Sequence, residues 1–555
     1  MNRILTTIVI LGLFIMSRCE SKFADKMFVN AKIIDADGRQ LSGDAIAIKK
    51  WKIVQVDAQS ELAPLCNNKT EVIDLKGAFL YPGFSDAHLH VESVGKNLLN
   101  LNLVGTTSIG KIQQRLKDYS AKNPDLHWIQ GSGWDQNDWS ATVFPNHADL
   151  DACINERPVA LDRIDGHALW VNAKALTLAG ITKETPDPEA SGGKILKDHL
   201  GYPTGVLIDN AMNLIWKQIP PDSLEQRTKY ILAALEHFAS LGLTEVHDAA
   251  TDEPTISIFK ELEQAGRLPI RVYAMAYGGD IINFMKKHEP IIPDINPYFT
   301  VRTIKLFSDG ALGSRGAYLF EPYSDEPGNY GLLTISEKDL KEIAETAKAT
   351  GYQVATHAIG DSANRLVLNV YEKILGENIA QYRWRIEHAQ VLAPSDIPRF
   401  GKLGIIASMQ PTHATSDMPW APARLGAKRV KGAYATKSVW SGGAIVPGGS
   451  DAPVESANPL LGFYAAITRQ NINGKPTGGW MPEQILDRSS ALKMFTELPA
   501  YAAFQEKIKG KLKPGFVADF TILDKNLMTV TPKEILQTTV VMTVVGGEVK
   551  YKSVE

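Results

Sequence analysis

Cysteine is scarce here, with three in 555 residues, at Cys19, Cys66 and Cys153. A disulfide-stapled scaffold is thereby excluded, and so is a zinc finger, because none of the three has a Cys or His partner at ligand spacing. Excess charge is missing too. Fifty-nine Lys and Arg against 62 Asp and Glu give a net charge of −3, which leaves no electrostatic footprint for nucleic acid or for a polybasic membrane surface. No low-complexity stretch interrupts the chain, and no G-x-G-x-x-G or G-K-[ST] loop opens a helix, which removes the usual nucleotide-binding folds. The one long apolar run, Ile4 to Met16 after Arg3, is shorter than the roughly 20 residues a spanning helix needs. It matches a signal-peptide core, so residues 1–22 are expected to be a leader and the protein to be exported to a bacterial periplasm. Cys19 stands where a bacterial lipoprotein carries its lipid, although Arg18 before it is not the small residue such sites have. A lipid anchor there is the only membrane contact the sequence suggests. Cys66 and Cys153 read as plain buried thiols, with pairing after export as the alternative.

What is present is a globular chain, 44% hydrophobic, long enough for more than one core. Residues 27–75 alternate short apolar runs with turns at Asp37-Gly38 and Ser42-Gly43, a pattern of short antiparallel strands. FVADFTILD and VVMTVVGGEVKYK near the C-terminus read alike, so the two ends together would complete one small β domain. Between them strands alternate with amphipathic helices. Ser336 is an N-cap candidate with Asp339 three residues on, Gly351 ends that helix, and YQVATH follows as a strand; a helix from Arg227 to Leu241 likewise precedes LTEVHD. Such alternation gives a parallel sheet, and a closed (β/α)8 barrel is favoured over an open one.

The chemistry starts at His88-Leu89-His90, where alternation along a strand places two imidazoles on one side. Two neutral imidazoles make half a metal site, although 12 histidines in this length yield about 0.3 such pairs by chance. Downstream, candidate strands carry Lys305, His357, His388, Gln410 and Asp451 at or near their C-terminal ends. His357 and His388 are 31 positions apart and His388 and Asp451 63, one and two steps of a barrel that allots about 31 residues to each βα unit. Taken singly, each histidine is more often a hydrogen-bonded core residue and Asp451 a helix cap. Lys305 is odder, since it shares a strand face with Thr303 and Phe307 and points into the barrel, where a charge is costly. Jointly, separate accidents at the same end of several strands become a poor explanation.

PGFSDAHLH, KLFSDGALGSR, THAIGD, RIEHAQ, SMQP and GSDAPV, in that order, resemble the amidohydrolase superfamily, and within it the amidohydrolase family 3 branch that includes N-substituted formamide deformylases. GWDQNDW at 133–139 and DGHALWVN at 165–172 are similar to the same branch. The resemblance implies an α/β fold: a distorted (β/α)8 TIM barrel over 81–496, an α/β insertion after the first strand at about 106–226, and a β-sandwich built from 23–80 and 497–555. It also implies two divalent metal ions, zinc being expected. His88 and His90 would hold the more buried ion, His357 and His388 the second, and a carboxylated Lys305 would bridge them. Asp451 would complete the metal-ligand set, contact the nucleophile and shuttle its proton.

Substrate contacts are less determined. Arg315 suits a substrate carboxylate or carbonyl, or equally a surface salt bridge. His167 and Trp134 from the insertion are candidate pocket residues, as are His413 after Gln410 and His247 near the end of the second strand. The expected activity is hydrolysis of a C–N bond in a small molecule, foremost a linear N-acyl or N-formyl amide. A one-metal hydrolase of an ester or cyclic amide is the alternative within enzymes, and a noncatalytic scaffold on the same fold the alternative outside them. A homo-oligomer is compatible with the sequence.

Overall fold

The computed structural model describes residues 23–141, 143–163, 168–188, 193–293 and 295–554. At its centre seven strands pair in parallel: β1 (Phe84–Leu89), β2 (Leu243–Thr251), β3 (Arg271–Ala276), β4 (Phe299–Phe307), β5 (Gln353–Ala358), β6 (Arg385–His388) and β7 (Ile406–Ser408). Their spatial order is their chain order, which is what right-handed βα units in succession produce. Side-chain parity sorts the two faces. In β4, Ile304 and Leu306 join the apolar layer beneath helices such as Glu337–Thr350, while Thr303 points inward and meets Tyr273 and Gln353 of the neighbouring β3 and β5.

The eighth position differs from the expected strand. AIVPGGSDAP forms no regular strand, yet its backbone closes the ring. Ile445 and Pro447 carbonyls accept from Ala407 and Met409 on one side, and Gly448 O accepts from Ala87 of β1 on the other. Glycine is required at Gly449, where a Cβ would stand 2.7 Å from the backbone N of His88. This tight seam brings Asp451 beside β1, with Asp451 N donating to His88 O at 2.7 Å.

Helix signals act as their chemistry predicts. Ser336 accepts from Asp339 N, and Gly351 ends the helix at a φ of 79°, a conformation that costs glycine nothing. The helix before β2 runs Leu224–Ser240, capped by Ser223, so it starts one turn earlier than Arg227.

Two further sheets form a sandwich. Lys26–Val29, Ala45–Lys49, Lys52–Asp57 and Glu71–Asp74 make one; Lys32–Ile33, Phe79–Pro82, Phe520–Leu523, Val540–Val545 and Glu548–Lys552 make the other. Phe28, Ile46 and Ile48 pack on Phe520, Ile522 and Val544 between them. Of the C-terminal stretch, 497–509 lies under the barrel, where Lys509 pairs with Glu245 and Gln505 bonds Thr300, while Leu512, Phe516 and Ala518 join the sandwich core.

Between the helix Val91–Leu99 and the helix Leu224–Ser240 stands a six-stranded mixed sheet, running from Leu101–Asn102 to Pro203–Asp209. The insertion thus begins about one turn before residue 106. Cys66 and Cys153 are free thiols, the first against Met27 sulfur, the second bonded to Leu150 O. The expected leader and Cys19 lie outside the described residues. Among the described residues no helix is long and apolar enough to cross a membrane.

Candidate metal centre

At the C-terminal mouth of the barrel a cavity of about 340 Å3 gathers His88, His90, Lys305, His357, His388, His413 and Asp451. Asp451 is the meeting point: its Oδ1 lies 3.2 Å from His90 Nε2 and 3.5 Å from His88 Nε2, and its Oδ2 lies 3.8 Å from His413 Nε2. The His388 ring is 4.9 Å from His88 and 4.5 Å from His357. One ligand atom from each of His88, His388 and Asp451 falls within 4.8 Å of the others. Lys305 Nζ is buried at the cavity wall, 4.4 Å from the centre of the Phe307 ring.

Strand parity alone would not assemble this group. His88 follows Asp86, and His357 follows Gln353 and Ala355, on inward faces. His388 has the opposite parity to the inward Arg385 and Glu387, and it reaches the cavity because its backbone turns left-handed, with φ 71°; Asp451 does the same at φ 58°. Non-glycine residues held there cost of order 1–3 kcal/mol and cluster at functional sites.

Burial dominates the electrostatics. It drives the His88 imidazole down to about 4 and His357 to about 3, with the nearby Lys305 ammonium adding to both, and it places His388 well below its ordinary value. The rings are therefore bare bases at neutral pH. Burial also brings the Lys305 amine down to about 8. Against Asp451 burial works the other way, but the hydrogen bond from His90 and the surrounding imidazoles outweigh it and hold the carboxyl well below the carboxylate range.

The donor set fits divalent metal ions. Among the described residues His88 Nε2, His357 Nε2, His413 Nε2 and Lys305 Nζ are buried without a hydrogen-bond partner. Each such atom costs about 1–3 kcal/mol, so four around one cavity mark groups arranged for a ligand. Neutral imidazoles and a carboxylate are zinc donors. Gln410, through Oε1 at 2.8 Å from His388 Nδ1, turns the Nε2 of that ring toward the cavity.

The remaining candidates separate. His413 lines the cavity, stacked on His388 at 6.0 Å. Trp134 does not. It is fully buried in the insertion, donating to Leu161 O and packed on Trp139 and Trp170, because an apolar ring with one donor is satisfied by a core that offers one carbonyl. Arg315 also lies off the cavity: its fork pairs with Asp325 and reaches Glu326, a nearby carboxylate being enough to hold a guanidinium at the surface. His247 is fully buried below the cavity with Nδ1 3.0 Å from Arg385, one layer too deep to touch a substrate. His167 lies outside the described residues.

Arg385 and Glu387 escaped the sequence reading. Glu387 Oε2 is 2.5 Å from His88 Nδ1, and Arg385 grips the same carboxylate. Two opposite charges at i and i+2 on a fully buried strand that ends in His388 were the available signal. Asp309 is another: it accepts from the backbone of Tyr318, Ile359 and Gly360 and stands 3.5 Å from His357 Nε2, its carboxyl raised by burial to about 7.

Comparison with known proteins agrees with this geometry. A sequence model described as "Amidohydrolase family" matches residues 71–551. The protein YtcJ of Bacillus subtilis (strain 168) is 35% identical over 87% of this chain and 91% of its own. The N-substituted formamide deformylase of Arthrobacter pascens is 24% identical over 96% of this chain and 99% of its own. A solved structure of an uncharacterized metal-dependent hydrolase from Pyrococcus horikoshii OT3 superposes with a TM-score of 0.77 at 29% identity, over 91% of this chain and 99% of that one.

Proposed function

The chain belongs to the amidohydrolase superfamily, in its family 3 branch, as a metal-dependent hydrolase of small molecules, and from that premise we propose that it cleaves the C–N bond of a linear amide, an N-acyl or N-formyl amine. The observation that carries the proposal is the convergence of an ionised Asp451 with unpartnered imidazole nitrogens at one cavity. Similarity to a protein named as a formamide deformylase supports the choice of bond.

His88 and His90 would hold one divalent ion, zinc being expected, and His357 and His388 a second. Ions bound there would lower the pKa of water and polarise the scissile carbonyl. Lys305 would stand between them as a carbamate. Its amine, brought to about 8 by burial, is partly uncharged at neutral pH and adds to carbon dioxide: an N–C bond forms, one N–H proton leaves, and an anionic oxygen faces the cavity. Asp451 accepts a proton from the attacking water at a carboxylate oxygen and returns it to the leaving amine nitrogen. Phe307, Leu312, Ile359, Trp420 and Val454 wall the cavity and would exclude bulk water around an apolar acyl group.

A one-ion reading has its own observation, the compact set of His88, His388 and Asp451. Metal analysis of zinc-grown protein separates the two: close to two ions per chain is expected, and less than one after careful reconstitution rejects the binuclear centre. A panel of N-acyl amines, N-formyl amines, esters and cyclic amides tests the substrate class, and preferential turnover of esters or cyclic amides would overturn the linear-amide proposal. Export, and lipidation at Cys19, are part of the same proposal and rest on the leader sequence alone.

A further inference from the structure

Beneath the cavity floor lie buried charges that the proposed reaction does not use. Glu387 Oε2 and His88 Nδ1 approach to 2.5 Å, and both side chains are fully buried. Arg385 holds that carboxylate from two directions, Nε to Oε1 at 2.6 Å and Nη2 to Oε2 at 3.0 Å. The same guanidinium donates to Ala87 O on β1 at 2.8 Å and to Ser408 Oγ on β7 at 2.9 Å. A guanidinium can only donate, so the His247 Nδ1 that faces it on β2 at 3.0 Å is an acceptor. Three strands besides β6 therefore fix one arginine, and the arginine fixes one carboxylate. An ion pair placed this deep is poor evidence of stability, since apolar residues of equal volume often serve as well. Its direction is more informative: the carboxylate ends on the ring nitrogen remote from the cavity.

We infer that Glu387 is a positioning residue for His88, with Arg385 as its anchor: an acceptor-only carboxylate fixes the imidazole proton on Nδ1 and leaves the Nε2 lone pair facing the cavity. The inference rests on His88 being a metal ligand in the function proposed above. A ligand histidine without such a partner can place its proton on either nitrogen, and a proton on Nε2 blocks coordination. In Glu387→Gln the shape is kept, but the amide can donate to Nδ1 and so favour that blocking tautomer.

Two measurements on the full chain test this. In metal-free wild-type protein, nitrogen-15 spectra of labelled histidine, with His88 identified by the signal missing from His88→Asn, are expected to show Nδ1 protonated and Nε2 bare; a proton on Nε2 overturns the inference. In competition with a chromogenic chelator, Glu387→Gln is expected to bind zinc about 10–100-fold more weakly, with Glu387→Asp, which keeps the charge, recovering part of the loss. Wild-type zinc affinity in Glu387→Gln also overturns it. Should Glu387→Gln fail to fold, the wild-type spectrum still decides. Should wild-type protein bind no zinc, the metal-centre reading fails, and the spectrum separately reports whether Glu387 sets the His88 tautomer.

Discussion

Two buried clusters of ring side chains, one in the insertion and one at the barrel mouth, use their ring nitrogens differently. In the insertion, Trp134, Trp139 and Trp170 pack edge and face at 5.9–6.3 Å, with Trp134 and Trp170 each donating to a backbone carbonyl. At the barrel mouth His88, His357, His388 and His413 approach at 4.5–6.0 Å, but His88, His357 and His413 leave a ring nitrogen unpartnered. Both are closely packed. In the insertion two of the three ring nitrogens serve the fold and Trp139 Nε1 is buried without a partner among the described residues, whereas at the mouth three unpartnered ring nitrogens surround one cavity. Close packing of rings therefore does not distinguish a core from a site, whereas several unpartnered ring nitrogens converging on one cavity do.

If that contrast is sound, substitutions in the two clusters should fail differently. The largest effect is expected at Asp451→Asn, where loss of the proton carrier should reduce kcat by about 10²–10⁴-fold while metal content stays nearly intact; steady-state kinetics beside metal analysis check it, and surviving turnover would remove Asp451 from the proton path. Trp134→Ala should instead cost about 3–5 kcal/mol of stability through the cavity it leaves, with metal content of the folded fraction unchanged. Thermal unfolding with metal analysis reads both, and loss of metal without loss of stability would erase the distinction.

A smaller effect follows from the lowered imidazoles. His88 and His357 stay neutral in the fold down to about 4 and about 3, while the unfolded chain protonates them near 6.5. Between those values the unfolded state binds more protons, so stability rises with pH there. The metal-free protein should lose urea resistance as pH falls from 6.5 toward 4, and His357→Gln should lose less of it; identical profiles would mean the His357 ring is already solvated. Smallest of all, Arg315→Ala should leave kcat/KM unchanged, since its partners are Asp325 and Glu326 at the surface. A rise in KM alone would return Arg315 to the substrate site.

Much of the barrel was legible because its signals are local. Ser336 with Asp339, Gly351, and the alternation in β4 and β5 each follow from the chemistry of a few adjacent residues. Lys305 was legible for the same reason, a charge on the wrong face of an apolar strand. Trp134 and Arg315 were not, because a motif reports which residues keep company in sequence and not what they touch. His388 lies between: its identity was readable, but parity places it outside the barrel, and only the left-handed turn brings it in.

By itself, then, the sequence determined the alternation of strands and helices, the inward lysine and the order of the metal-ligand candidates, all set by periodicity and residue type within a few positions. Tertiary structure decided that an irregular segment at 444–451 closes the barrel, that Asp451 meets His88, His90 and His413, and that Glu387 backs His88 from 299 positions away. Those are long-range contacts through backbone hydrogen bonds and buried charge. Their energy depends on which groups share a dry interior, and a linear order of residues does not contain that information.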